Sequence, residues 1–335
     1  MRKSALIPCL LAAVTAAHGQ DPHFSQFFAS PLSMNPAATG RFDGSFRAAA
    51  NYRNQWPGFG NAFVTKTVSF DGPVRLSFVP EKHAFSAGMV LLTDQTGGGI
   101  LSENHAVVSV SYALPLDGAS KHMLSAGFGG GFGNYRFDIS RADFLDELSV
   151  SGFTLATSEL LVSRDLRRSF LNFHAGLQYQ GALGEKDAFY VGASVFHIPK
   201  PRLGFSSDKY RLQRRYNVQA GGLYLLSEFT TLHYSLQWQS QFRFREWSLG
   251  GAVSHMLLDR TRHYIELYAG SWFRSDLALI PYVGLEYNGV RAGFTYDFNM
   301  SGRNAAASER RSSEFSLIWV AKRLTRDNRF RCPVF

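Results

Sequence analysis

Residues Leu171–Gln180 read LNFHAGLQYQ. Leu171, Phe173, Ala175, Leu177 and Tyr179 alternate with Asn172, His174, Gly176, Gln178 and Gln180. A strand throws successive side chains to opposite faces, so this stretch is a β-strand with one oily and one wet face. Leu232, Tyr234, Leu236 and Trp238 stand opposite His233, Ser235, Gln237 and Gln239 in the same way. Between Val290 and Asn299, Val290, Ala292, Phe294, Tyr296 and Phe298 oppose Arg291, Gly293, Thr295, Asp297 and Asn299. Each run is about 9–11 residues, the length a tilted strand needs to cross a bilayer.

About fourteen such segments fall near 45–52, 63–70, 83–92, 105–114, 122–132, 170–180, 188–198, 216–226, 230–239, 247–255, 263–273, 278–287, 290–299 and 313–321. Two are less regular, because Lys66 interrupts one and Glu266 sits beside Tyr264 and Tyr268 in another. An even number is what a closed bacterial outer-membrane barrel requires. The connections agree. The set at 53–62, 93–104, 133–169, 199–215, 240–246, 274–277 and 300–312 contains the longest segments and is assigned to the outer side. The opposite set is 71–82, 115–121, 181–187, 227–229, 256–262 and Asn288-Gly289, a favoured tight hairpin turn. Short periplasmic turns alternating with long outer loops are the pattern of these barrels, from which 71–82 and 274–277 depart.

The expected fold is therefore all-β, a transmembrane antiparallel β-barrel of about 14 strands. A soluble β-sandwich also has short alternating strands, but the Tyr, Trp and Phe load on one face persists along the whole chain without a linker or a composition break. Tyr112, Tyr179, Trp247 and Trp272, near strand ends, are expected in the aromatic girdles. A short helix is suggested in the longest outer loop, at Ser140–Leu148, where Ser140 and Asp143 have capping-box spacing and Phe144, Leu145 and Leu148 form an apolar side.

The chain opens with Arg2 and Lys3, an apolar run from Ala5 to Ala17, and Ala17-His18-Gly19. This is the pattern of a secretory signal peptide, expected to span 1–19 with cleavage near Gly19. The apolar run is too short to anchor the chain as a helix and is broken by Pro8. Cys9 leaves with the signal and Cys332 stands alone, so the mature chain holds no intramolecular disulfide. Residues 20–44 precede the barrel at 45–321, and Phe24, Phe27 and Phe28 among them require burial. Two places offer it: the lumen, as a plug, or the underside of the barrel. The segment 322–335 is a basic periplasmic tail with Arg323, Arg326, Arg329 and Arg331, and it ends at Phe335.

The net charge of +9, which becomes +7 when Arg2 and Lys3 leave with the signal, on an exported chain without a nucleic-acid motif points to anionic lipid rather than nucleic acid. Lys200–Arg215, with six basic residues against Asp208, faces outward on this topology and suits lipopolysaccharide phosphates. Catalytic patterns are missing. The ten His lack metal-site spacing, and His174 and His233 belong to wet strand faces that would line the lumen. Gly127–Gly133 is a glycine-rich run with no helix after it, so it reads as small residues that let a neighbour approach. No enzyme activity, cofactor or metal is expected.

Six motifs in order complete the reading: QDPHFSQFFASPLSMNPAATG at 20–40, YRNQWPGF at 52–59, SFDGP at 69–73, LLTDQTGG at 91–98, FYVGASVFHIP at 189–199 and VRAGFTYDFNMS at 290–301. Together they resemble the PorP/SprF family of outer-membrane proteins. The resemblance implies a non-enzymatic barrel of the type IX secretion system of Bacteroidota-like bacteria. It would act in export or cell-surface attachment of cargo proteins through their C-terminal sorting domain, in some cases gliding adhesins. Implied partners are that cargo and the periplasmic ring lipoprotein with its companion. Asn35, Pro36, Arg53, Gln55, Trp56, Gly58, Asp71, Gly72 and Asp94 lie in these motifs and are the candidates for family architecture or cargo contact. An outer-membrane porin or substrate-specific channel is the competing function for the same fold.

Overall fold

The computed structural model describes residues 21–57, 63–141, 148–149, 152–153, 165–184, 187–203, 211–260, 263–300 and 311–321. Five strands come first: β1 (Phe46–Gln55), β2 (Phe63–Val74), β3 (Ala84–Thr96), β4 (Leu101–Pro115) and β5 (His122–Asp138). Two short strands, β6 (Leu148–Ser149) and β7 (Gly152–Phe153), pair with each other. Then follow β8 (Asp165–Ala182), β9 (Ala188–Phe196), β10 (Arg215–Ser227), β11 (Thr230–Gln241), β12 (Phe244–Arg260), β13 (His263–Arg274), β14 (Ala278–Tyr287), β15 (Val290–Asn299) and β16 (Ser312–Ala321).

All but β6 and β7 form one closed antiparallel barrel of fourteen strands, each paired to its neighbour along the chain. The closure is β1 on β16, in continuous register from Phe46 opposite Ala321 to Gln55 opposite Ser312. In lipid every backbone N–H and C=O must find a protein partner, and only a sheet without edges does this with strands. Asn288 and Gly289 both adopt positive φ, 51° and 84°, as a two-residue turn between twisted strands demands.

The alternation read from the sequence sorts outside from inside. On β8, Leu171 and Leu177 are exposed while Asn172, His174, Gln178 and Gln180 are buried. On β11, His233, Ser235, Gln237 and Gln239 are buried, and on β15 so are Thr295 and Asp297. The apolar side chains form the outer, lipid-facing belt.

Several boundaries differ from the sequence expectation. The strands run further toward the outer end, so the segment expected as loop 93–104 shrinks to the turn between Thr96 and Leu101. Asp71 to Val74, expected in a turn, complete β2, and Arg53 to Gln55 complete β1. In each case polar inward-facing residues continue the two-residue period, which an apolar alternation alone does not reveal. Trp272 corrects the girdle assignment. It is 1% exposed and packs inward, in step with Glu266, Tyr268 and Arg274 on β13. The helix expected at Ser140–Leu148 falls mostly outside the described residues. Ser140 itself donates to Asp138 Oδ1 at 2.6 Å, and Ile139–Arg141 form a 3-10 turn. The tail at 322–335 also lies outside them.

Residues 21–44 run inside the barrel. They carry two 3-10 turns, Phe27–Ala29 and Pro36–Ala38, around a four-residue helix, α1, at Pro31–Met34. Phe27, Phe28, Ala29 and Met34 form one apolar cluster with inward residues that include Ala49, Trp272, Ile280, Tyr282 and Ile318. Leu32 packs on Val90 and Val107 across the lumen. Burying side chains of this size contributes roughly 1.5–3 kcal/mol each. The glycine-rich strand β5 makes the passage possible. A Cβ on Gly127 would lie 2.2 Å from the backbone N of Ala37 and 2.3 Å from the carbonyl carbon of Pro36. Gly127→Ala is therefore expected to leave the barrel assembled but to unseat residues 35–38. Limited proteolysis of the refolded protein should then cut within 21–44 where the unsubstituted chain resists, and equal resistance of the two proteins would count against this contact.

Candidate functional site

The segment is fixed at three levels. At the long-loop end, β1, β15 and β16 bring together Arg53, Asp297 and Glu314, all buried. The register sets Arg53 directly opposite Glu314, with Thr295 on its other side. Glu314 accepts the backbone N–H of Ser25 at 2.7 Å and of Gln26 at 3.2 Å. The Gln26 side chain donates to the Glu314 carbonyl at 2.9 Å and accepts from Ser316 Oγ at 2.6 Å. Asp297 accepts Ser25 Oγ at 2.8 Å, Arg274 Nη1 at 2.8 Å and Arg53 Nη2 at 3.1 Å. Arg53 Nη1 closes the set by donating to the His23 carbonyl at 2.9 Å. Buried charges persist only when paired and hydrogen-bonded, and removing one partner typically costs about 3–5 kcal/mol.

Asp21 is held beside this set. Its carboxylate meets His197, Arg215 Nη1 at 3.1 Å and Gln241 Nε2 at 2.9 Å. Burial acts to raise its pKa, but His197 and Arg215 outweigh burial and keep the carboxylate ionised below its ordinary range. His23 goes the other way. Burial first, then Arg53, Arg274 and Arg215, push its pKa well below 6.5, so the ring is neutral although Glu246 lies 3.6 Å away.

At mid-lumen, Asn35 is fully buried, accepts from Ala37 N at 2.9 Å and donates to the Leu177 carbonyl at 3.0 Å, with Pro36 beginning the following turn. The Met34 carbonyl takes Ser194 Oγ at 2.6 Å and Asn217 Nδ2 at 3.1 Å. At the short-turn end, Arg47 makes a two-pronged pair with Asp71 at 2.9 and 2.7 Å. Asp71 also takes the N–H of Gly40 at 2.6 Å. Gly72 follows, with room for no more than a tight contact at the Ser45 carbonyl.

Above Asp21 and His23 the barrel opens into a vestibule of about 610 Å³. Its walls carry the carboxylates of Asp21, Asp94, Glu103, Glu246, Asp276 and Asp297, with Arg274 and the neutral His23 among them. Trp56, Phe63, Tyr135 and Phe244 provide aromatic faces. Trp56 sits at φ 56°, a conformation a bulky residue rarely adopts, and its ring meets Phe63 edge-on at 5.3 Å. Asp94 accepts a 2.5 Å hydrogen bond from Thr65.

The sequence candidates thus divide by height. Gln55, Trp56 and Asp94 line the vestibule and Arg53 lies just beneath it. Asn35 and Pro36 hold the middle, and Asp71 and Gly72 the far end; Gly58 lies outside the described residues. Glu314, Asp297, Arg274 and Ser25 carry much of the site and are not among the sequence candidates. For Glu314, Asp297 and Arg274 the signal is a charge on the inward side of a strand, and Ser25 and Asp297 also lie within the motifs at 20–40 and 290–301.

A family model described as type IX secretion system membrane protein PorP/SprF matches residues 16–319. The chain belongs to the PorP/SprF family. No curated protein matches it significantly. Among solved structures it resembles a Pseudomonas aeruginosa FadL homologue, with TM-score 0.50, 11% identity, and coverage of 85% of this chain and 91% of that one. The Ralstonia pickettii toluene transporter TbuX gives TM-score 0.50 at 9% identity, covering 87% and 92%. At such identities the likeness is one of fold: this PorP/SprF protein has the architecture of an outer-membrane barrel, and fold and family together support that location.

Two buried groups tie seating of the segment to pH. Above about pH 6.5 His23 is neutral whether seated or free; below it a free segment binds a proton that the seated one refuses, so seating weakens on acidification. Asp21 acts in the same direction only below the ordinary carboxylate value of 3.8. Between pH 7.5 and 5, acidification is expected to lower the apparent Tm of the detergent-solubilised protein relative to that of His23→Gln. An identical pH dependence in the variant would exclude His23 as its source.

Proposed function

We propose that this PorP/SprF protein is a non-enzymatic component of type IX secretion that takes part in export or cell-surface attachment of cargo, with its outer vestibule as the receiving site. The observation that carries this reading is the division of the lumen. Residues 21–44 pack on inward-facing side chains in the middle and lower part, which supports reading them as a plug, and a chamber lies above them at the long-loop end. A chamber with a floor suits capture of a chain end better than passage of solutes.

The walls favour the partner's chemistry. The six wall carboxylates outnumber Arg274 together with Arg53 and Arg215, which pair with Asp297 and Asp21 at the floor, so the chamber is left with an acidic excess. Basic side chains on an extended cargo segment meet these carboxylates, while Trp56 and Phe244 supply cation–π and apolar contact. The cargo element is the C-terminal sorting domain, gliding adhesins being one class that carries it. On the periplasmic side the partners are the ring lipoprotein and its companion, reached by the basic tail after signal removal near Gly19.

Trp56→Ala combined with Asp94→Asn is expected to assemble a normal barrel while reducing surface display of the cognate cargo, read by protease shaving of intact cells and by co-purification with the barrel. Unchanged display and co-purification would remove the vestibule from the mechanism. A porin function, the competing reading, instead predicts a solute-uptake defect on deletion of the gene with display intact.

A further inference from the structure

Three strands, β4, β5 and β8, are among the longest of the barrel, with 15, 17 and 18 residues, and they rise together at the long-loop end. Their outward faces change character in rows. The first row is apolar: Ala106 opposite Phe132, and Phe132 opposite Leu171. Phe132 and Leu171 are 49% and 65% exposed, as lipid-facing residues are. Two residues higher, roughly 7 Å along the strands, stand Asn104, Asn134 and Ser169 in register, with Asn134 Nδ2 donating to Ser169 Oγ at 2.9 Å. Two residues higher again, Ser102 faces Arg136, and Arg136 faces Arg167.

Like charges directly opposite one another destabilise an antiparallel pair. Here they occur on the outward face, just above the lipid belt, where each guanidinium presents five N–H donors in a fork that matches phosphate oxygens. Asp138 Oδ2 approaches Arg136 at 3.4 Å and Arg141 at 3.2 Å. These pairs lie at the exposed rim, where ion pairs are weak. Arg214, also exposed, continues the basic surface around the barrel: its Nε donates to the Ile198 carbonyl at 3.0 Å, and Ile198 N–H bonds to β8 at Phe173.

We propose that the outer end of β4, β5 and β8 binds the phosphorylated saccharide headgroup of an outer-leaflet glycolipid. Arg136 and Arg167 clamp the phosphate, the Asn104–Asn134–Ser169 row faces sugar hydroxyls, and Phe132 and Leu171 pack on the acyl chains below. Such binding also fixes the height of the barrel in the membrane independently of any cargo.

Native mass spectrometry of the full-length, detergent-solubilised barrel tests this with three probes: rough lipopolysaccharide, the same lipid after dephosphorylation, and phosphatidylglycerol. Lipopolysaccharide is expected to bind, and each of the other two at least about tenfold more weakly, the effect of losing one or more charge-assisted hydrogen bonds. Arg136→Gln with Arg167→Gln should weaken lipopolysaccharide binding by about tenfold or more. Arg168→Gln, on the inward face of β8, should leave it unchanged. Heat-modifiable migration reports assembly; if the double variant fails to assemble, the single Arg136→Gln and Arg167→Gln proteins decide, each expected to lose affinity several-fold. Binding unaffected by these substitutions, or phosphatidylglycerol binding as tightly as lipopolysaccharide, would overturn the proposal.

Discussion

A strand in lipid can leave no backbone N–H or C=O unpaired, and this requirement joins β1 to β16. The closing register then determines much else. It sets Arg53 opposite Glu314 and brings Asp297 within reach of both Arg53 and Arg274, all on the inward face. A lumen lined this way cannot be filled by apolar packing alone. It needs polar partners, which the chain provides from the backbone amides of Ser25 and Gln26 and the carbonyl of His23.

The same segment meets the opposite demand a few residues on. Phe27, Phe28 and Met34 face an inward apolar patch built from Trp272, Ile280 and Tyr282, on strands whose inner faces are otherwise largely polar or charged. Phe28 lies 4.7 Å from Trp272 and meets Tyr282 edge-on at 5.5 Å. Polar and apolar zones of the lumen thus match polar and apolar stretches of residues 21–44, so the seating has one register. Buried ion pairs add little net stability compared with apolar packing. Their contribution here is to fix where the segment stops, and so where the vestibule floor lies.

Much of the fold was legible because lipid on one side and water or polar chain on the other imposes a two-residue period. LNFHAGLQYQ shows it without interruption, and the fourteen segments and the Asn288-Gly289 turn follow from the same rule. Strand ends were less legible, since Arg53–Gln55 and Asp71–Val74 carry little apolar alternation where they leave the bilayer. Residue type alone points Trp272 outward, whereas its spacing from Glu266 and Arg274 places it inward. For the site, the motif residues Arg53, Trp56 and Asp94 fall at or beneath the vestibule. Their companions Glu314 and Arg274 lie 261 and 221 positions from Arg53, and only closure of the barrel makes them neighbours. No local pattern encodes such a contact.

The central claim is that residues 21–44 obstruct the lumen, so that the vestibule is a receiving chamber and not the mouth of a channel. Single-channel recording in planar bilayers tests it most directly. The full-length barrel is predicted to show no steady conductance, and the barrel lacking residues 21–44 to show stable open channels. A comparable steady conductance from both proteins would contradict the account.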